Sequence, residues 1–362
     1  MQPIDHIAAW WRGGTAPPYS IELSPTLRCN LRCRFCWQQG VTEVDHRNEL
    51  PDELYASIVE QGRELGVREW RIIGGGESLC RRALTLDTMA RIKRGGMYGY
   101  LCTNGSRFDE PTVRQTVEMG WDHLKISFES PDPGTQDFLS GIPGSFNCIT
   151  RNIAMFRDHK RLLKTDTPFL ELGMVLTNKN HHQLEAMMRL AHSLGVQAVF
   201  AEPITVYTAL GASLKLHPAE AGDLDRYAGK AARLAERFGI QTNLRDFIQE
   251  SRLVSDTGRM HNVLVHEATS DDPFLDAPCF EPWYRMGIRV DGVVCPCGFY
   301  DVSSHENIRD KSLREIWYGG YFQQRRREIL EGRLPPHCAK CCTTLVVQNQ
   351  RIRQQLIALR MG

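Results

Sequence analysis

Cys29, Cys33 and Cys36 place three thiols inside the stretch RCNLRCRFCWQ, which also carries three arginines and no acid. Thiols spaced like this bind soft metals. A structural zinc takes four ligands, and the nearest downstream histidine, His46, falls outside the usual local spacing. An iron–sulfur cluster is normally held by four thiolates. With three, one iron keeps an open coordination position at which a substrate or cofactor can bind, so the shortage itself becomes the chemistry.

The rest of the chain must position that loop. Its 362 residues suffice for one large domain or a large and a small one. Lys plus Arg exceed Asp plus Glu by one, so no overall field singles out nucleic acid or an anionic membrane as partner. No apolar run is long enough to span a bilayer, and MQPIDHIAAWWRGG lacks the basic start and apolar core of an export signal. Trp10 and Trp11 read as a packed cap rather than a membrane anchor. These features point to the cytoplasm, where twelve cysteines serve metal binding or catalysis better than disulfides.

From residue 19 to about 238, short apolar runs alternate with amphipathic stretches. YSIELSP (19–25), EWRIIGG (69–75), YGYLCTNG (98–105), DHLKISFES (122–130), LELGMVLTN (170–178) and VQAVFAEP (196–203) read as strands. The helices between them are predicted over 52–65, 84–95, 111–120, 145–163, 181–195 and 219–239. Six strands with six crossovers imply a parallel α/β sheet, doubly wound or a partial barrel, whose chemistry sits at the C-terminal strand ends. The cysteine loop follows the first strand directly. Residues 241–278 read as a linker rich in Asp, Ser and Thr. MGIRVDGVVCPCG (286–298) reads as a hairpin with an Asp-Gly turn, followed by helices over 312–334 and 345–361.

The C-x3-C-x2-C pattern on that loop, with Phe35 before the last cysteine, resembles the radical S-adenosylmethionine superfamily. Three further stretches agree in order. IIGGGESL (72–79) stands where that family has Gly-Gly-Glu-Pro, with Ser78 replacing the proline. CTNG (102–105) resembles its Thr-Asn-Gly, and ISFES (126–130) offers Ser127 near cofactor ribose or carboxylate. The resemblance, over roughly 20–205, implies a [4Fe-4S] cluster on the three cysteines whose open iron chelates the methionine part of S-adenosylmethionine. It implies cofactor contacts from Phe35, Gly75, Gly76, Glu77, Asn104 and Ser127, with Glu77 accepting from the cofactor's amino group. Reduction of the cluster then cleaves the cofactor to a 5′-deoxyadenosyl radical that abstracts a hydrogen atom.

CFEPWYRMGIRVDGVVCPCG, with C-x12-G-x4-C and a later C-x2-C, resembles the auxiliary-cluster extensions called SPASM and twitch. This implies a second [4Fe-4S] cluster on Cys279, Cys297, Cys338 and Cys341, with every iron ligated and electron transfer or support as its role. A structural zinc on the same thiolates is the alternative. Cys80, Cys102, Cys148, Cys295 and Cys342 remain, inert by default. Cys80, Cys102, Cys295 and Cys342 lie near the implied sites and are candidate hydrogen donors.

The resulting expectation is a partial (β/α)6 TIM-type barrel with a small C-terminal α+β extension: cap 1–18, barrel 19–240, linker 241–278, auxiliary-cluster domain 279–362. Only 28 residues precede the first cluster cysteine, which leaves no room for a leader-peptide-binding domain there and tilts the substrate towards a polar small molecule (a sugar, aminocyclitol or nucleoside intermediate). Oxidation of a carbinol to a ketone, with the auxiliary cluster as electron acceptor, is the expected reaction. Thiol-dependent epimerisation and peptide maturation are alternatives. A purely electron-transferring or regulatory iron–sulfur protein would not need the barrel. Flavodoxin or ferredoxin is the expected reductant, with no nucleic acid or membrane as partner; adjacent Arg325, Arg326 and Arg327 read first as a solvated helix face and second as a docking site for that acidic reductant.

Overall fold

The computed structural model describes residues 2–40, 47–249, 271–297, 303–336, 338, 341 and 343–361. Seven strands run parallel: β1 (Ser20–Leu23), β2 (Glu69–Ile72), β3 (Tyr98–Thr103), β4 (His123–Ser127), β5 (Phe169–Leu176), β6 (Ala198–Pro203) and β7 (Gln241–Thr242). Two more, β8 (Arg285–Ile288) and β9 (Val294–Cys295), extend the sheet on the other side of β1, giving the order β7-β6-β5-β4-β3-β2-β1-β8-β9. The sheet does not close, so the fold is a partial α/β barrel. β8 is parallel to β1, with Ser20 opposite Arg285, and only the β8–β9 pair is antiparallel.

Between the strands run α2 (Asp52–Leu65), α3 (Arg82–Arg94), α4 (Glu110–Glu118), α5 (Pro133–Ser140), α6 (Ser145–Leu163), α7 (Leu184–Leu194), α8 (Ala209–Ala212) and α9 (Pro218–Phe238). α1 (Pro3–Trp11) precedes the sheet, and α10 (Leu244–Gln249), α11 (Leu313–Tyr318), α12 (Gly320–Leu330) and α13 (Thr343–Met361) follow β7 and β9. Residues 241–249, expected within a linker, thus carry β7 and α10. α5 and α8 add two short helices at the active end. α4 and α5 each start on an aspartate, Asp109 and Asp132, accepting from the N–H three residues on.

Each strand sorts its side chains by alternation. Ile21, Leu23, Trp70, Ile72, Leu101, Leu124, Ile126, Leu170, Leu172 and Val199 are sealed in the main apolar core with the helices. Full burial of each large side chain contributes about 1.5–3 kcal/mol. The other face of the same strands presents Glu22, Arg71, Tyr100, His123, Lys125 and Glu171, and lines the barrel lumen.

The C-terminal residues begin as expected. The β8–β9 hairpin turns at Asp291-Gly292, where Gly292 adopts φ +85°. α1 packs on α13, and Ile7, Phe280, Trp283, Tyr284, Ile352 and Leu356 share a second core. Trp10 lies against the Arg326 guanidinium, and Trp11 donates to Asp272, so this tryptophan pair is a cap. Among the described residues no helix is long and apolar enough to cross a membrane.

Candidate active site

The loop after β1 is held by the loop after β2. Gly76 N–H donates to the Thr26 carbonyl at 2.8 Å and Glu77 N–H to the Arg28 carbonyl at 2.7 Å. A Cβ at Gly76 would stand 2.1 Å from the Arg28 oxygen, and one at Gly75, whose φ is +68°, 2.6 Å from the Thr26 oxygen. These glycines are therefore required by the close approach of two backbones. The approach fixes the residue before Cys29.

Glu77 is buried, and its carboxylate accepts from Leu79 N–H (3.0 Å), Asn104 N–H (2.7 Å) and the Thr103 hydroxyl (2.9 Å). Burial pushes its pKa up, against these hydrogen bonds. These bonds make Glu77 a tie between the ends of β2 and β3. Asn104 carries the tie onward: its amide donates to Asn30 at 3.1 Å and lies 3.9 Å from Cys29 Sγ. Asn30 in turn donates to the Ser106 hydroxyl at 2.8 Å. Asn30 and Ser106 were not singled out from sequence, although Asn30 adjoins Cys29.

Cys29, Cys33 and Cys36 are partly buried on this scaffold. Burial raises all three thiol pKa values, Cys33 the most, with the Glu129 carboxylate the next cause there and the other two cysteines after it. The loop is seated by α5, since Arg32 N–H donates to the Ser140 carbonyl and Arg34 N–H to the Leu139 carbonyl, both at 2.9 Å. Phe35 packs with Leu139, Ile204 and Leu214, and Ser127 ends β4 opposite Gly173. An all-thiol set suits iron–sulfur ligation, and the cluster's positive charge is what would turn buried thiols into thiolates.

In the extension, burial chiefly raises the thiol pKa of Cys279 and Cys297; the Glu281 carboxylate, Cys338 and Cys341 add to both, and Cys279 adds to Cys297. Cys341 N–H donates to the Cys338 carbonyl at 3.1 Å, the same turn that joins Cys36 to Cys33 at 3.0 Å. α13 clamps the chain on both sides of the first of these thiols. Asn349 Oδ1 accepts Phe280 N–H at 2.6 Å, and Arg353 donates to the Leu275 and Ala277 carbonyls at 2.9 and 2.7 Å. Among the described residues, no three His, Cys, Asp or Glu side chains converge on a single metal-ion position.

Of the spare thiols, Cys295 is sealed in β9, while Cys80 interacts with Cys29 and Glu77. Cys102 follows Tyr100 by two residues and so faces the lumen; burial lifts its pKa to about 11, with Lys125 opposing. Cys342 lies outside the described residues. The three arginines at 325–327 share neither a solvated face nor a patch. Arg325 pairs with Glu328 at 2.7 Å, and Arg326 is buried against Trp10 and Trp317, leaving Arg327 exposed.

The lumen was not anticipated. The strands present a ladder of polar pairs: Arg285 with Glu22 on the next strand (3.2 Å), Arg71 with Glu69 on its own strand (3.0 Å) and Glu22 on the next (3.7 Å), Lys125 with Glu171 on the next strand (3.8 Å) and Glu202 on the one beyond (2.9 Å), and a His123–Glu171 hydrogen bond (2.9 Å). Arg285 also pairs with Glu281 at 3.2 Å, two residues from Cys279, so the ladder reaches from the auxiliary thiols into the barrel. Beside it lies a cavity of about 630 Å³, walled by Tyr19, Tyr98, Tyr100 and Phe200 and covered by Gln348 and Arg351 of α13. The signal was present in sequence: a parallel strand buried on both faces reads as continuously apolar, whereas SIEL, EWRI and HLKIS alternate.

A parallel barrel with thiols at its active end and more in an appended hairpin domain has the build of an iron–sulfur barrel enzyme. The radical SAM superfamily profile matches residues 23–191, and that of an iron–sulfur cluster-binding domain, SPASM, matches 279–342. The chain belongs to the radical SAM superfamily and carries a C-terminal SPASM-type extension; its cofactors are S-adenosylmethionine, a [4Fe-4S] cluster that binds it, and auxiliary iron–sulfur ligation. It is similar to the PqqA peptide cyclase of Gluconobacter oxydans (26% identical over 310 residues, 83% of this chain and 77% of that one). The PqqA peptide cyclase of Ruegeria pomeroyi is 27% identical over 343 residues, 91% and 82% of the two chains. In fold it resembles Streptococcus suis SuiB bound to precursor peptide SuiA, with a TM-score of 0.65, 18% identity and coverage of 89% and 70%. It also resembles anSMEcpe with bound AdoMet, with a TM-score of 0.63, 17% identity and coverage of 90% and 83%.

Proposed function

We propose that this protein is a peptide-modifying radical SAM enzyme that takes one or two residues of a peptide into the barrel lumen. The observation that carries this reading is the likeness to peptide cyclases across barrel and extension together. It favours the peptide alternative over the carbinol oxidation of a sugar, aminocyclitol or nucleoside. The cavity supports it in size and character, with aromatic walls for an apolar side chain and paired charges for a peptide's polar groups.

Cys29, Cys33 and Cys36 would hold the S-adenosylmethionine-binding cluster, and Cys279, Cys297, Cys338 and Cys341 the auxiliary one. When bound, the first supplies hydrogen-atom abstraction and the second can accept an electron. The chain's own residues bind and orient. Gly75, Gly76, Glu77 and Asn104 fix the loop, Lys125 and Glu202 present opposite charges to the substrate, and Tyr100 and Phe200 exclude water from it. A second reading, return of a hydrogen atom with inversion at carbon, is favoured by Cys102, whose thiol stays protonated on the lumenal face.

The test is to give the iron-loaded, reduced protein S-adenosylmethionine and synthetic peptides encoded beside its gene. A peptide product lighter by two hydrogen atoms, with a new bond located by fragmentation, supports the proposal. Unchanged peptides, with a small metabolite of the source extract losing two hydrogens instead, would restore the small-molecule reading.

A further inference from the structure

Along the ladder the carboxylates outnumber their cations: Glu22, Glu69, Glu171, Glu202 and Glu281 share Arg71, Lys125 and Arg285. We propose that this surplus is a recognition site: the cavity takes a cationic side chain of the substrate, lysine or arginine, and seats it against Glu171 and Glu202. The inference names the substrate's chemistry and rests on the reading that the substrate enters this lumen.

The surplus is within a ligand's reach around Lys125. Its ammonium lies 2.9 Å from Glu202 Oε1 and 3.8 Å from Glu171 Oε1, so two carboxylates divide one cation. His123 gives Glu171 a hydrogen bond at 2.9 Å, and its other ring nitrogen meets the Tyr98 hydroxyl at 3.3 Å. Glu171 is buried, whereas Glu202 is partly exposed and lines the cavity. Phe200 and Glu202 alternate onto the same face of β6, which sets an aromatic ring beside a carboxylate. At the α13 side of the cavity Arg351 and Asp246 pair with each other at 3.0 Å and leave the difference unchanged.

A lysine or arginine suits this wall along its whole length. The alkyl stem packs on the rings of Tyr19, Tyr98 and Phe200 while the charged end reaches the carboxylates, and the ring faces themselves attract a cation. An anionic side chain would meet Glu171 and Glu202 with Lys125 already engaged. A neutral one would cover the surplus carboxylate and leave it without a counterion. The same wall therefore rejects both, and it selects as well as binds.

The probes are the N-acetyl methylamides of lysine, norleucine and glutamate, given to the iron-loaded, oxidised full-length protein and ranked by saturation-transfer NMR. The lysine probe is expected to bind at least about 5-fold more tightly than the other two. It should lose about 5- to 20-fold in Glu202→Gln and in Glu171→Gln. Arg327→Glu, exposed on α12, is expected to change nothing. Peptides encoded beside the gene then carry the same comparison. Replacing the lysine or arginine beside the new bond by norleucine should lower kcat/KM at least about 10-fold in wild type and hardly further in Glu202→Gln. A norleucine or glutamate probe bound as tightly as lysine overturns the proposal, and this arm needs no variant. Lysine binding that both glutamine variants retain in full also overturns it, as does a modified peptide with neither lysine nor arginine at or beside the new bond. Lysine-probe binding that depends on Glu202, with every peptide left unmodified, supports the cation site and refutes the peptide reading instead.

Discussion

Lys125 reaches from β4 across β5 to pair with Glu202 on β6 at 2.9 Å, and it can do so because residue 173 has no side chain. A Cβ at Gly173 would lie 2.4 Å from Lys125 Cε. The lysine stem is flexible, so Gly173→Ala displaces the ammonium rather than breaking the strand. Its expected cost in stability is below about 1.5 kcal/mol, whereas peptide turnover falls at least as far as in Lys125→Met. Substrate-free cleavage of S-adenosylmethionine stays near wild type in both. Denaturant unfolding beside the two assays checks this, and normal turnover in Gly173→Ala would remove Lys125 from substrate binding.

Much of this organisation was readable in advance. The helix over 145–163 falls on the predicted residues, and six strands lie where the apolar runs are. α5 was missed because a Pro-Gly start and eight residues make a weak periodic signal. β7 was missed because two residues carry none. At 325–327 neighbours in a helix point about 100° apart, so three adjacent arginines share neither one solvated face nor one patch. The lumen ladder is a property of register, and register across a sheet is not written in any one strand.

Glu77 is expected to matter for folding as well as for the site. Glu77→Ala strands the N–H groups of Leu79 and Asn104 and the Thr103 hydroxyl in a buried place, at about 1–3 kcal/mol for each donor left unsatisfied. Glu77→Gln keeps shape and one acceptor oxygen and should lose less. Thermal unfolding of the metal-free chains ranks them; equal stability of Glu77→Ala and wild type would contradict the tie described above.

The two thiol groups should load iron independently. Two four-iron clusters give about eight irons per chain, against about four with zinc if the extension binds that metal. Changing Cys29, Cys33 and Cys36 together to Ala should abolish 5′-deoxyadenosine formation and leave about half the iron. Asn349→Ala and Arg353→Met, which loosen the chain after and before Cys279, should lower the other half while sparing cofactor cleavage. Iron, sulfide and zinc analysis with electron paramagnetic resonance separates the outcomes, and about twelve irons would indicate a third cluster.

Cys102 links a pH effect to the choice between reactions. Its pKa is raised to about 11 by burial, from an ordinary value of 9.0. The native chain therefore holds this proton where the unfolded chain releases it. The resulting stability is present below about pH 9 and is lost as pH rises towards 11, by at most about 1.4 kcal/mol per pH unit. Urea midpoints across that window should fall less steeply for Cys102→Ala than for wild type. At neutral pH the group is an S–H, the form that can return a hydrogen atom to a carbon radical. Turnover in heavy water then decides its role. A cross-linked or dehydrogenated peptide without carbon-bound deuterium, still formed by Cys102→Ala, leaves Cys102 a packing residue. A peptide of unchanged mass in light water, gaining one deuterium at carbon in heavy water, identifies epimerisation. Loss of that deuterium in Cys102→Ala would name the lumenal thiol as the donor.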